Sequence, residues 1–298
     1  MNKTLTYALL VFLAGSSYGF IVPAIKIAES IDIHAADFLP LQYLMAFLLM
    51  TGLTMLKRIK LPTPRELAKL ACVGILTACT SLCYYRAVAL LPSAVALTLL
   101  FQFVWIGIIL NAITQRRLPG RTTVIAVIIV LVGTVLAAGI FDMSIASLNP
   151  AGIAFGLGSA VFYSLFLFVS GRISSDYAVP LRTTMLSLGG FITTTAMNPG
   201  FVSVVLDNEL TWPVALVMSF LGIIIPTSLI SLASPKLDAS VVTIMASSEL
   251  PVGVLAAWVI VADTPTPAAL AGVILVLAGI VYNQWPALKG ILRKNQAS

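Results

Sequence analysis

Long apolar runs, broken at fairly even intervals by short polar or Pro/Gly-rich stretches, extend over the whole chain. A helix that crosses a bilayer needs about 20 mainly apolar residues. Ten segments meet that length: 5–27, 36–56, 67–89, 92–113, 122–140, 151–171, 181–197, 212–234, 239–261 and 267–285. Between them stand Pro62 and Pro64, Leu118-Pro119-Gly120, Asn149-Pro150, Asn198-Pro199-Gly200 and Thr264-Pro265-Thr266-Pro267, residue types that punctuate helices. The seventh segment is the weakest, diluted by Thr183, Thr184, Ser187 and Thr193 to Thr195. The pattern predicts an all-α membrane protein with ten transmembrane helices.

Composition sharpens this picture. Of 298 residues, 59% are apolar and 9% charged, against about 25% charged in a soluble protein. With a mean hydropathy of +1.05, an ordinary soluble domain, a disordered chain and a disulfide scaffold are excluded. No long polar stretch exists to form a soluble head on one anchor. Cys72, Cys79 and Cys83 share one apolar segment without a CxxC, and His34 is the single histidine. Such a set holds no zinc or haem iron, so no metal and no cofactor is expected.

The net charge of +6 reads as orientation, not as a footprint for nucleic acid. With the N-terminus in the cytoplasm and strict alternation, the inner side collects Lys3, Lys57, Arg58, Lys60, Arg65, Lys69, Arg116, Arg117, Arg121, Arg172, Arg182, Lys236, Lys289, Arg293 and Lys294. Of the 17 basic residues only Lys26 and Arg86 fall outside. Glu29, Asp32, Asp37, Asp142, Asp207, Glu209 and Asp263 fall on the outer side. Basic residues mark cytoplasmic loops, so both termini are expected inside. Dropping the seventh span would carry Lys289, Arg293 and Lys294 out. The first segment is too long for a signal-peptide core and is interrupted by Ser16, Ser17 and Tyr18; its removal would leave nine spans.

The chain resembles itself at an offset of about 147 positions. Leu91-Pro92-Ser93-Ala94 through Phe101-Gln102-Phe103-Val104-Trp105 lies over Asp238-Ala239-Ser240-Val241 through Ser248-Glu249-Leu250-Pro251-Val252. Arg116 lies over Asp263, and Val130-Leu131-Val132-Gly133 matches Val276-Leu277-Ala278-Gly279 after a one-residue slip. Two repeats are expected, residues 1–145 and residues 146–298, each of five helices. An odd number of spans inverts the second repeat, the arrangement by which secondary transporters alternate access.

These residues carry a family resemblance. Glu249-Leu250-Pro251-Val252-Gly253-Val254-Leu255-Ala256-Ala257-Trp258 followed by Asp263, together with Tyr18-Gly19 and then Lys26, resembles the EamA-type exporters of the drug/metabolite transporter superfamily over nearly the whole chain. The first half departs from that pattern: Gln102 stands in place of Glu, Val104 in place of Pro, and Arg116 in place of an acid. The polar and aromatic content of the third and fourth segments is similar to the amino-acid exporter branch, including exporters of aromatic amino acids. The resemblance implies a bacterial inner-membrane exporter of small metabolites, with an amino acid as the small-molecule substrate. An exporter of drugs or other metabolites, and a facilitative channel or uniporter, stand as alternatives.

Polar groups inside a membrane face protein or a water-filled cavity. Thr98, Gln102 and Trp105 recur on one helical face, as do Thr77, Ser81 and Tyr84, and Ser159, Tyr163 and Phe166, with Ser170 a turn further. Ser17 and Tyr18, Gln42 and Tyr43, and Ser240, Thr243 and Ser247 add to them. Tyr18, Gln42, Tyr43, Ser81, Tyr84, Thr98, Gln102, Trp105, Tyr163 and Ser247 are therefore candidates for binding an amphipathic zwitterion, with rings for its side chain and neutral dipoles for its head group. Ser and Thr also bond their own helix backbone, and Tyr7, Trp212, Tyr282 and Trp285 read as interfacial anchors. Gly152, Gly156 and Gly158 read as helix-packing positions.

Glu249 is the one acid near a span centre. It reads either as a proton carrier or as a hydrogen-bonded group beside the break at Pro251, whose missing N–H frees a carbonyl. Pro23, Pro226 and Pro251 lie inside spans and read as hinges or as static bends. No P-loop is present to bind ATP, and no HExxH or Ser/His set suggests an enzyme.

Overall fold

The apolar runs fold as helices, and no strand forms among the described residues, which are 3–33, 35–138, 148–173 and 176–295 of this computed structural model. In chain order the long helices are α1 (Lys3–Ser30), α2 (Phe38–Leu56), α3 (Pro64–Leu90), α4 (Val95–Gln115), α5 (Arg121–Ala137), α6 (Pro150–Ser170), α7 (Val179–Met197), α8 (Thr211–Lys236), α9 (Ala239–Val261) and α10 (Pro267–Trp285). All but α5 and α7, eight in number, are long and apolar enough to cross a membrane. Helix α5 is apolar but shorter. Helix α7 has the length, with 19 residues, and is the one diluted by threonines. The chain is thus an all-helical, multi-pass membrane protein. The expected end of the fifth segment at residue 140, the seam at 145/146, His34 and Asp142 lie outside the described residues, as do the side chains of Asp37, Asp207, Lys289, Arg293 and Lys294.

Side-chain exposure fits lipid as the solvent. Leu13, Leu48, Ile113, Ile128, Val259 and Ile274 all face outward, an apolar surface that no soluble monomer presents. Trp212, Tyr282 and Trp285 are exposed near helix ends, as interfacial anchors would be.

Inside, the first five helices interleave with the last five. α3 packs on α6 and α7, α2 on α7 and α8, α1 on α8 and α9, α4 on α6 and α9, and α5 on α10. In lipid, helices gain by close approach of small residues, not by hydrophobic exclusion. A Cβ at Gly74 would overlap the Leu186 carbonyl, and one at Gly189 the Ala71 carbonyl, so α3 and α7 touch backbone to backbone. The α5–α10 seam is reciprocal. A Cβ on Gly133 would lie 2.8 Å from Gly272 O and 2.9 Å from Val276; one on Gly279 would lie 3.1 Å from Ala126 O and 2.8 Å from Val130.

Four of the long helices are broken. α1 is interrupted at Phe20, α4 at Phe101-Gln102 and α9 at Ser247-Ser248, while α8 carries a π-helical turn over Phe220–Ile224. Pro23, Pro226 and Pro251 each sit in the first turn of the helix that restarts after a break. That is where a missing N–H is tolerated. α4 breaks without a proline, since Val104 holds that position. Instead the Gln102 amide donates to the Thr98 carbonyl at 2.9 Å while its backbone N–H turns to Leu99 O. A side chain inserted into the helical ladder bends it. α4 and α9 also finish alike, at left-handed caps on Arg116 (φ 51°) and Ala262 (φ 54°).

Candidate functional site

Side chains of neighbouring helices donate to backbone carbonyls near these breaks, where lipid supplies no partner. Ser17 donates to Leu221 O at 2.8 Å, Gln42 Nε2 to Met218 O at 3.1 Å, Ser248 to Phe12 O at 2.7 Å and Ser164 to Phe103 O at 2.9 Å. The breaks of α1, α4, α8 and α9 are therefore tied to other helices at one level of the bundle.

At that level lies Glu249, the first residue of the restarted α9. It is half-buried, and Tyr18, Tyr84 and Tyr163 all lie within electrostatic reach of its carboxyl. Tyr18 and Tyr84 come from α1 and α3, Tyr163 from α6. The Tyr18 and Tyr163 rings meet edge to face with centroids 6.0 Å apart. Phe103 and Phe166 pack on Tyr163 at 4.7 Å and 6.2 Å. The Tyr163 hydroxyl is buried and closes no hydrogen bond of full geometry, and the Glu249 carboxyl is the polar group it faces. A second tyrosine group adjoins the first. Tyr43 donates to Thr77 Oγ1 at 3.1 Å with Ser81 beside it, and it lies within reach of both Tyr18 and Tyr85.

The other sequence candidates fall into place around local bonds. The Trp105 indole, 39% exposed, donates to Gln102 Oε1 at 2.7 Å. Both ends of the Gln102 amide are thereby engaged, one on Thr98 O and one by Trp105. Thr98 and Ser247 are buried, Ser247 donating to Thr243 O at 3.3 Å. Gln42 is buried against α8, and its Oε1 has no partner. Tyr85, Phe101 and Phe103 were not singled out in the sequence. Tyr85 lies off the Thr77/Ser81/Tyr84 stripe, and the phenylalanines carry no polar atom to betray an inward face.

One end of the bundle carries a second polar assembly. There α4, α6 and α8 end and α9 begins, amid Arg116, Arg117, Arg172 and Lys236; we call it the basic end. Asp238 caps α9 by accepting from Ser240 N at 2.9 Å. Asn111 donates to Asp238 at 2.7 Å and to Ser240 Oγ at 3.0 Å, and Gln115 donates to Asn111 Oδ1 and Asp238 Oδ2, each at 3.0 Å. Arg172 donates to Phe168 O at 2.8 Å and to Asn111 Oδ1 at 3.4 Å, its guanidinium 3.7 Å above the Phe168 ring. Partial burial lowers its pKa, while nearby Asp238 pulls the other way. Arg182, expected among the basic residues of this side, is 5% exposed inside α7. It donates to Ser231 O and Ser170 O at 2.5 Å each, a cation placed on the negative ends of α8 and α6. At the opposite end, Lys26 of α1 pairs with Asp263 just past α9.

A cavity of about 220 Å³ lies at the basic end, lined by Gln115, Arg172, Asp238 and apolar neighbours. A far smaller void, about 10 Å³, lies beside Arg182.

Residues 5–139 match the model of the EamA-like transporter family. One solved protein, described as "Crystal structure of protein", superposes with a TM-score of 0.73 over 94% of this chain and 98% of its own, at 15% identity. At that identity the likeness establishes the fold alone. No curated protein matches the chain by sequence.

Proposed function

We propose that this chain is a secondary-active carrier of the bacterial inner membrane, both termini cytoplasmic, that exports small amphipathic metabolites. Amino acids, aromatic ones among them, are the substrate class. The observation that carries this reading is a half-buried carboxylate, Glu249, faced by Tyr163 of the second half and within electrostatic reach of Tyr18 and Tyr84 of the first. Rings bind an amphipathic side chain, and neutral dipoles meet its ammonium and carboxylate. The family match to residues 5–139 supports transport over catalysis.

Residues 1–145 and 146–298 act as two inverted five-helix repeats. The reciprocal glycines of the α5–α10 seam support this, as do the paired left-handed caps and the matching breaks of α4 and α9. All ten long helices then cross the membrane, α5 and α7 included. The breaks at Pro23, Pro226 and Pro251 serve as the hinges on which the repeats rock. Tyr18, Gln42, Tyr43, Ser81, Tyr84, Thr98, Gln102, Trp105, Tyr163 and Ser247 form the substrate path, and Glu249 carries the coupling proton.

Purified protein in proteoliposomes, assayed with a panel of amino acids, is expected to show saturable uptake and counterflow. Failure of every amino acid to move would remove this substrate class. Flux without saturation or counterflow would make the protein a channel.

A further inference from the structure

The two charged groups that line the cavity of the basic end have a use that packing does not explain. Arg172 and Asp238 line the same cavity of about 220 Å³, between the ends of α4, α6 and α8 and the start of α9. They feel each other electrostatically but form no direct ion pair. Each is held from behind. Arg172 rests on the Phe168 ring and carbonyl. Asp238 is fixed by Asn111, Gln115 and the N-terminus of α9. The rest of the lining includes Leu167, Phe168, Leu237 and Val242, an apolar wall beside a split pair of opposite charges. At about 30 Å³ per liquid water, the space holds several waters, or one small organic molecule.

We propose that this cavity is a loading vestibule for a free α-amino acid. Arg172 receives the α-carboxylate, Asp238 receives the α-ammonium, and the side chain lies along Leu237, Val242 and Leu167. The charge arrangement selects zwitterions over plain amines or plain acids, because either lone charge leaves one wall group unanswered. Held by hydrogen-bonded neighbours before the ligand arrives, the two groups are preorganised for it. The site lies at the opposite end from the Lys26–Asp263 pair, on the face from which an exporter takes its cargo. This inference rests on the export reading above but concerns a separate site, so the two can fail separately.

The test uses the full chain in proteoliposomes, with Cys72, Cys79 and Cys83 replaced by Ser and Leu237→Cys as a reporter on the vestibule wall. L-Phenylalanine and L-alanine are expected to slow alkylation of that thiol by a maleimide. Phenethylamine, lacking the carboxylate, and N-acetyl-L-phenylalanine, lacking the ammonium, are expected to protect poorly. Arg172→Gln and Asp238→Asn should each raise the half-protecting amino-acid concentration about tenfold, the scale of one charge-assisted hydrogen bond, whereas Val259→Ala, on the outward apolar surface, should leave it unchanged. Protection that survives both charge substitutions, or that Val259→Ala removes equally, overturns the vestibule. So does absence of protection in protein that still transports amino acids. Zwitterion-selective protection in protein that transports none keeps the vestibule and discards the export reading.

Discussion

At the residue scale, Glu249 stands between the two roles that the sequence leaves open. A buried carboxylate serving only to satisfy the break at Pro251 needs an amide or hydroxyl donor and nothing more. Its place among Tyr18, Tyr84 and Tyr163, from three helices of both halves, goes beyond that need and favours proton carriage. Glu249→Gln keeps the shape and removes the titration. Transport by this variant is expected to lose its dependence on pH while expression and melting temperature hold; an unchanged pH profile would return Glu249 to a structural role. Gln102 stands at the matching place in α4 and does not titrate, so the pair is asymmetric. Its amide ties Thr98 O to the Trp105 indole. Gln102→Ala and Trp105→Ala are each expected to lower transport at least several-fold with normal membrane expression. Wild-type rates in both would take α4 out of the substrate path.

At the element scale, helix contacts made through glycine are the places where small changes matter most. Gly74 faces the Leu186 carbonyl with no room for a methyl group, whereas Gly52 in α2 has open space around it. Gly74→Ala must push α3 and α7 apart and is expected to destabilise by about 1–3 kcal/mol. Gly52→Ala removes only glycine's helix penalty and is expected to stabilise by up to about 1 kcal/mol. Thermal unfolding in detergent compares them; equal effects would mean that the α3–α7 contact is looser than described. The same elements mark how far sequence reasoning reaches. The all-helical fold and the approximate helix ends were legible because apolar length is a coarse signal, and α7, singled out as the weakest segment, is not among the eight helices long and apolar enough to cross a membrane. The breaks at Pro23, Pro226 and Pro251 were visible as prolines. The break at Gln102 was not, because it comes from a side chain competing with its own helix. The burial of Arg182 and the knot of Asn111, Gln115, Asp238 and Arg172 depend on which helix ends meet, and no periodicity within one helix carries that information. The tyrosine cluster was half legible: Tyr18, Tyr84 and Tyr163 fell on polar stripes, and Tyr85 did not.

At the scale of the whole molecule, alternating access requires that one end part while the other holds. On the proposed carrier mechanism, the two ends part unequally. At the basic end, Asn111 and Gln115 join α4 to Asp238 and Ser240 at the start of α9, and Arg172 adds the end of α6. At the other, α1 and the α9 terminus are joined by the Lys26–Asp263 pair, whose side chains are 45% and 55% exposed. An exposed pair of this kind contributes about 0–1 kcal/mol, too little to matter for folding. It is enough to bias two states that differ by a similar amount. Asp263→Lys is therefore expected to leave the melting temperature nearly unchanged and to reduce transport, because like charges hold that end open. The exchanged double variant, Lys26→Asp with Asp263→Lys, restores the attraction with its polarity reversed and should recover most of the wild-type rate. If the double variant transports no better than the worse single one, the pair is a surface contact and the closure of that end must rest on the packing of Gly19 against Gly253, where an added methyl group would then be the substitution that stops the cycle.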